Sequence, residues 1–435
     1  MPSPVRPLLA GRPSTRRALL RSLAVTPFAA SLTSLTTRAS ASVAESFAES
    51  SPVRVATQNL GLGVSLYPLF VADTERERRR LVGEMYESVR ASDVPGRMAA
   101  IAAEFDAVDA DVIAVQEAAS IAAEGDEIDF LAELSAALDA RDSGYRVAIS
   151  SENTDAALPA EIDGDEATVR LRDRDALLVA EDVSVDDTSE TTFDSALDVS
   201  FSESESFRLA RGFAAATVSL PDAPAFDVLS THLERASGAI RGAQADELVS
   251  WVRERSGPVV VAGDVNDEPG TGAYATLSEV LVPATDGIDE TCCRASDLSG
   301  GEFSEAIDHV FSRGLTPLSA ERFTLSSTRV ETDRGDLWPS DHAGVVASLE
   351  ASETTATDTT TTERPTTGTT DSVSNSTAES PTQTATEDAT TTVDSPDSSA
   401  TTTDSTQTGT ETPGFGFAAA LVALAAAAER MRRSD

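Results

Sequence analysis

The chain has 435 residues, 73 acidic and 33 basic, for a formal charge of −40, with 40% of its residues hydrophobic. Every basic residue is arginine, and the only cysteines, Cys292 and Cys293, are adjacent, which excludes a scaffold of several disulfides and a paired-cysteine zinc site. Such an acidic, lysine-free surface suits solubility in concentrated salt, where the screening length is about 3 Å at ~1 M, so net charge does not exclude a polyanionic substrate.

Residues 1–41 read as an export leader. Ser14-Thr15-Arg16-Arg17-Ala18-Leu19-Leu20-Arg21 precedes a weakly apolar stretch and ends near Ala39-Ser40-Ala41, a small-residue cleavage pattern. The paired arginines resemble a twin-arginine signal, which implies the twin-arginine export machinery as a partner.

Residues 52–350 form the expected folded domain. β-Branched or apolar runs predict strands at Val53–Gln58, Val112–Gln116, Tyr145–Ser150, Ala176–Ala180, Phe226–Thr231, Val259–Gly263, Ile307–Phe311 and Gly344–Leu349. Helical patterns span Glu75–Phe105, broken near Pro95, then Leu131–Ala140 and Ala236–Glu254. Helix-free stretches at Ala176–Val185 and Phe207–Thr231 suggest antiparallel hairpins. The interleaving specifies an α/β architecture. As neighbours that would close a strained ring if bridged, Cys292 and Cys293 are expected as reduced thiols.

Residues 351–412 turn abruptly to Thr, Ser, Asp and Glu and cannot bury enough apolar surface to fold, so they read as an extended stalk. Within it, Asn375-Ser376-Thr377 is a glycan acceptor pattern. Residues 413–435 carry Pro413-Gly414-Phe415, an apolar run to Ala428 and terminal arginines. These three elements in order resemble the C-terminal sorting signals of haloarchaeal surface proteins. That resemblance implies removal of the run by a sorting enzyme and attachment of a membrane lipid at the outer cell surface.

Polar residues cluster at the ends of the predicted core strands, which is where α/β proteins build sites. They are Asn59, Glu117, His232, Asp264 with Asn266, and Asp308 with His309; Asp341-His342 precedes the last strand. Phosphoester cleavage requires a hard cation, an activated water and a proton for the leaving oxygen. Glu117 is placed as an oxygen ligand for Mg²⁺ or Mn²⁺, with Asn59 supporting it or holding phosphate. Asp264 and Asn266 stand two residues apart, suited to take a proton from water and to orient phosphate. His232 can protonate or polarise a leaving group, and Asp308 can pair with His342 and favour its charged form. Taken singly, a carboxylate at a strand end is a turn or a cap. The joint pattern carries the argument, because all three histidines of the chain lie in these segments.

The ordered set Gln58-Asn59-Leu60, Val115-Gln116-Glu117, Ser230-Thr231-His232-Leu233-Glu234, Gly263-Asp264-Val265-Asn266, Ile307-Asp308-His309-Val310 and Pro339-Ser340-Asp341-His342 resembles the endonuclease/exonuclease/phosphatase family. The resemblance covers Val53–Leu349 and implies a four-layer α/β/β/α sandwich of the deoxyribonuclease I-like type. It further implies first-metal positions at Asn59 and Glu117, and an acid at His232. Asp264 would be the water-activating carboxylate and Asn266 a phosphate-binding amide. Asp308 would orient a phosphate-contacting His342, with Asp341 as a further metal or support position and His309 peripheral. Val265 departs from the usual aromatic residue of its motif, and the long interval between Asn59 and Glu117 predicts a helical insertion. Arg174 and Arg211 are candidate phosphate contacts by their forked geometry, with structural ion pairing as the alternative. The expected activity is extracellular phosphodiester hydrolysis by a monomer, nucleic acid being one candidate substrate. A phosphomonoesterase, a phospholipid phosphodiesterase and a non-catalytic surface-binding module remain as alternatives.

Overall fold

A computed structural model describes residues 52–200, 206–221, 223–323 and 329–351. The expected export leader, stalk and C-terminal sorting segment lie outside the described residues. Among the described helices none is long and apolar enough to cross a membrane.

In chain order the strands are β1 (Val53–Asn59), β2 (Val112–Gln116), β3 (Ser120–Ala123), β4 (Asp126–Asp129), β5 (Tyr145–Ile162), β6 (Asp165–Ala180), β7 (Ser184–Thr192), β8 (Leu197–Ser200), β9 (Ser206–Leu209), β10 (Gly212–Leu220), β11 (Ala223–His232), β12 (Val259–Asp264), β13 (Val282–Pro283), β14 (Asp308–Arg313), β15 (Leu315–Phe323), β16 (Val330–Thr332), β17 (Gly335–Leu337) and β18 (Gly344–Ala351). The helices are α1 (Tyr67–Val71), α2 (Glu75–Arg90), α3 (Val94–Val108), α4 (Phe130–Ala140), α5 (Gly238–Arg253) and α6 (Gly272–Ser278). One sheet runs β15-β18-β1-β2-β6-β3-β4 with β5 also on β6, and the other runs β13-β14-β12-β11-β10-β7.

Side-chain alternation makes the layers. Along β11 and β12, Val228, Val260 and Ala262 join one core with Val55 and Ala114 of the first sheet. Their neighbours Leu229, Val259 and Val261 point the other way, against Leu248 and Val252 of α5 and Leu277 of α6. Helices α2–α4 cover the first sheet through residues such as Met85, Ile101 and Leu134. The result is the four-layer α/β/β/α sandwich. Central strands buried on both faces explain why their sequences read as unbroken apolar runs.

Each sheet holds one central parallel pair, β1–β2 and β11–β12, each joined through helices. In register, Asn59 lies opposite Gln116, His232 opposite Asp264, and Asp264 opposite Asp308. The polar residues therefore finish on one edge of the sandwich. Between β1 and β2 lie α1, α2 and α3, the insertion that the long interval predicts. The break near Pro95 is the start of α3, where Asp93 caps Gly96 N and Pro95 occupies the first turn.

Two strand expectations need correction. The hairpin expected at Ala176–Val185 does not form, because β7 leaves β6 after a turn and pairs with β10 in the other sheet. The run at Tyr145–Ser150 is only the start of an 18-residue strand. Its later half pairs in register with β6 as far as Ile162–Asp165, where charged residues on the outer face hide the strand pattern. The hairpin expected within Phe207–Thr231 is β10–β11.

Candidate active site

The last residues of β1, β11 and β12 and the loops after β2 and before β18 converge. Asn59 sits fully buried between two carboxylates. Its amide nitrogen donates to Glu117 Oε1 at 3.3 Å and Asp264 Oδ2 at 3.2 Å, while its Oδ1 accepts Gly61 N at 2.9 Å. Glu117 Oε2 accepts Leu62 N at 2.6 Å, and Glu117 itself adopts a φ of 51°, unusual for a side chain of this size. Asp341 approaches so closely that a Cβ on Gly61 (φ +69°) would stand 2.5 Å from its Oδ1, so only glycine serves there.

Arg97 of α3 ties this corner together. Fully buried, it donates to Pro339 O at 2.9 Å, Leu60 O at 3.0 Å and Gly61 O, and its guanidinium lies 5.3 Å from the Phe130 ring centre. Burial lowers its pKa to about 10, which leaves it charged at neutral pH. Sequence reasoning missed Arg97, although a lone arginine on the apolar face of Val94, Met98 and Ile101 was a visible signal.

His342 is 5% exposed and its Nδ1 faces Asp308 at 2.9 and 3.2 Å. Burial alone would lower its pKa, but Asp308, then Asp264 and Asp341, raise it to about 10. It is an imidazolium whose Nε2 lies 3.8 Å from Asp264 Oδ2. His232, 3% exposed, is in the opposite surroundings. Its Nδ1 is 3.2 Å from Arg211 Nη1, so Nδ1 accepts and the ring proton sits on Nε2, 3.4 Å from Asp264 Oδ2. Burial first, and then Arg211, hold its pKa well below the usual value. His232 is therefore neutral and set by a guanidinium, where His342 is set by a carboxylate.

Asp264 touches both histidines. Its Oδ1 accepts Asn266 N at 2.9 Å, and burial, then Asp308, raise its pKa to about 7. Asn266 takes φ 52°; its Nδ2 donates to Leu233 O at 2.8 Å and its Oδ1 accepts from Arg235 Nη1 at 3.0 Å. Val265 is fully buried in the core beneath α5 and α6, an apolar role its motif's usual aromatic residue would also fill.

Arg211 stands beside the site, paired with Asp173 at 2.7 Å. Arg174 takes the structural alternative. It pairs with Asp129 at 2.6 Å and donates to Ala118 O at 2.7 Å, bracing the loop that carries Glu117. His309 lies outside the cluster, its Nε2 on the carbonyls of Ala306 and Asp267 and its ring 4.8 Å from Tyr274. Where reduced thiols were expected, the sulfurs of Cys292 and Cys293 lie directly against each other, their Cα atoms 3.0 Å apart. Cys292 Sγ packs 3.4 Å from His342 Nε2.

Among the described residues, His342, Asp264 and Asp308 bring ligand atoms within 4.8 Å of one another. Asp308, however, is committed to His342. A hard divalent cation is better served by Glu117 and Asp341, whose carboxylates face each other closely enough for Glu117 to help raise the Asp341 pKa to about 6, after burial. Asp341 Oδ1 is buried with no hydrogen-bond partner, an oxygen that a cation would satisfy.

The chain belongs to the endonuclease/exonuclease/phosphatase family, whose model matches residues 56–342. Members of this family are phosphoester hydrolases and are generally dependent on divalent metal. Solved structures similar to this chain include a family member from Bacteroides thetaiotaomicron, with 18% identity and TM-score 0.48, covering 68% of this chain and 97% of that one. A mannosyl-6-phosphatase from Bacteroides thetaiotaomicron VPI-5482 has 16% identity, TM-score 0.46 and coverage of 68% and 99%. Truncated Caenorhabditis elegans TDP2 has 17% identity, TM-score 0.42 and coverage of 69% and 98%. No curated protein matches.

Proposed function

We propose that this chain is a metal-dependent phosphodiesterase that acts outside the cell, held at the outer surface through its C-terminus. The observation that carries the activity is the opposed pair of imidazoles around Asp264, one charged and one neutral, beside the carboxylates of Glu117 and Asp341. The location rests on the sequence patterns of the two termini.

Glu117 and Asp341 would hold Mg²⁺ or Mn²⁺, with Asn59 fixing Glu117. When bound, the cation polarises a phosphate oxygen and offsets charge built up in the transition state. Asp264 receives the proton of the attacking water, which suits a carboxylate raised toward neutrality. As the water oxygen bonds to phosphorus and the ester P–O bond breaks, the leaving oxygen takes the Nε2 proton of His342. Asp308 stabilises the imidazolium before transfer. His232 donates its Nε2–H to a non-bridging oxygen without changing charge. Asn266 and Arg235 border the same space. These roles exchange the two histidines relative to the sequence expectation, because His232 lacks a charge to give.

A panel of plasmid DNA, single-stranded RNA, phospholipid and chromogenic phosphodiesters and monoesters tests this, in molar salt with Mg²⁺ or Mn²⁺. Diester turnover is expected. It should fall by about 10³-fold in Asp264→Asn, the scale of a lost general base. Turnover of monoesters alone would select a phosphomonoesterase, and no turnover on any of them would reject the enzyme reading.

A further inference from the structure

Where the chain returns to Asp341, three arginines gather on two aromatic rings. The Arg294 guanidinium lies 3.6 Å from the Trp338 ring centre and 4.3 Å from that of Phe303. Arg329 covers Trp338 at 4.9 Å and Arg322 covers Phe303 at 5.6 Å. The group adjoins the site directly, since Arg294 N donates to Asp341 O at 3.0 Å and Trp338 is three residues from Asp341.

Two features separate this cluster from ordinary packing. In a chain of charge −40, none of the three arginines has a carboxylate at ion-pair distance among the described residues. The segment between Arg322 and Arg329 (residues 324–328) contains no acid either. Arg294 is also held below its usual pKa, by burial and then by Arg329 and Arg322, and the charge of Asp341 offsets this only in part. Arg294 Nη1 is buried with no hydrogen-bond partner. The carbonyls of Glu290, Ser299 and Asp336 engage one nitrogen each of Arg322 and Arg329, out of five N–H groups per guanidinium.

We propose that Arg294, Arg322 and Arg329, carried on Phe303 and Trp338, form a subsite for a second phosphate of the substrate, flanking the one hydrolysed. The subsite rests on the hydrolase reading above and gives it a substrate class. Stacking on a ring fixes each guanidinium plane and leaves its edge to meet phosphate oxygens in a fork. Concentrated salt removes long-range steering, so an acidic enzyme must recognise a polyanion by contact of this kind. The second phosphate is either the next one along a nucleic acid strand or another ester on a small polyol.

Two pairs of substrates distinguish these sources in the full chain. One is a dinucleoside monophosphate against the same dinucleotide with an added terminal phosphate; the other is a hexose monophosphate against the hexose bisphosphate. In one pair the wild type should prefer the second phosphate by about tenfold in kcat/KM, and Arg322→Gln/Arg329→Gln should erase that preference through KM. Arg294→Lys, which keeps the charge and loses the fork, should reduce it as well. No preference in either pair, or a preference kept by both variants, overturns the subsite. If the wild type turns over nothing, the hydrolase reading falls, and calorimetry with inorganic pyrophosphate without divalent metal decides the subsite separately. Binding weakened about tenfold in the double variant sustains it, and equal binding or none rejects it.

Discussion

His232 and His342 flank one carboxylate, Asp264, yet they are set to opposite charge. His342 has Asp308 against Nδ1 and stays protonated to about pH 10. His232 has Arg211 against Nδ1 and stays neutral. One partner decides the chemistry of each ring, since a carboxylate accepts the Nδ1 proton whereas a guanidinium must donate to Nδ1. A site arranged this way holds a proton donor and an uncharged hydrogen-bond donor 3.4–3.8 Å from a common base.

The comparison breaks most visibly at Asp308. Replacing it by Asn removes the charge that holds the imidazolium, and kcat should fall about 10²–10³-fold while KM changes little. A residual rate within twofold of wild type would mean that His342 needs no carboxylate. At the other histidine, Arg211→Gln should cost about tenfold, because the ring loses the donor that fixes its tautomer without losing a charge of its own. Arg211→Lys should recover part of the rate, since an ammonium also donates.

Stability against pH separates the two rings with a smaller effect. The neutral His232 has a folded pKa below its unfolded value. It stabilises the fold fully above about pH 6.5, and that contribution is lost as pH falls below it. For His342 the folded pKa is raised, so its contribution is complete below about pH 6.5 and disappears as pH rises toward 10. In urea titrations His232→Gln should flatten the acid side of the stability profile and His342→Gln the alkaline side. Identical profiles for the two variants would remove the distinction.

How much of this was legible in the sequence depends on whether a residue stands in an apolar run or a short motif. Glu117, His232 and Asp264 end or follow apolar runs, so the run itself announces the site. The Asp308–His342 pair was readable because each lies in a short polar motif. Arg211 was named as a phosphate contact or a structural ion pair, not as the partner of His232. Its position beside His232 depends on β10 pairing with β11, Phe213 opposite Thr231, a register that no residue pattern declares. Arg97 acts through carbonyls of two loops far away in sequence, and its helix reads as ordinary apolar packing. The arginines on Phe303 and Trp338 come from three separate segments, so no cluster is visible along the chain.

Because the chain contains only three histidines, ¹⁵N spectra of the protein labelled at its imidazoles test the central claim directly. At pH 8 one ring, lost in His342→Gln, should show both nitrogens protonated. Another, lost in His232→Gln, should show a neutral Nε2–H tautomer. A neutral His342 or a charged His232 at that pH would contradict the account.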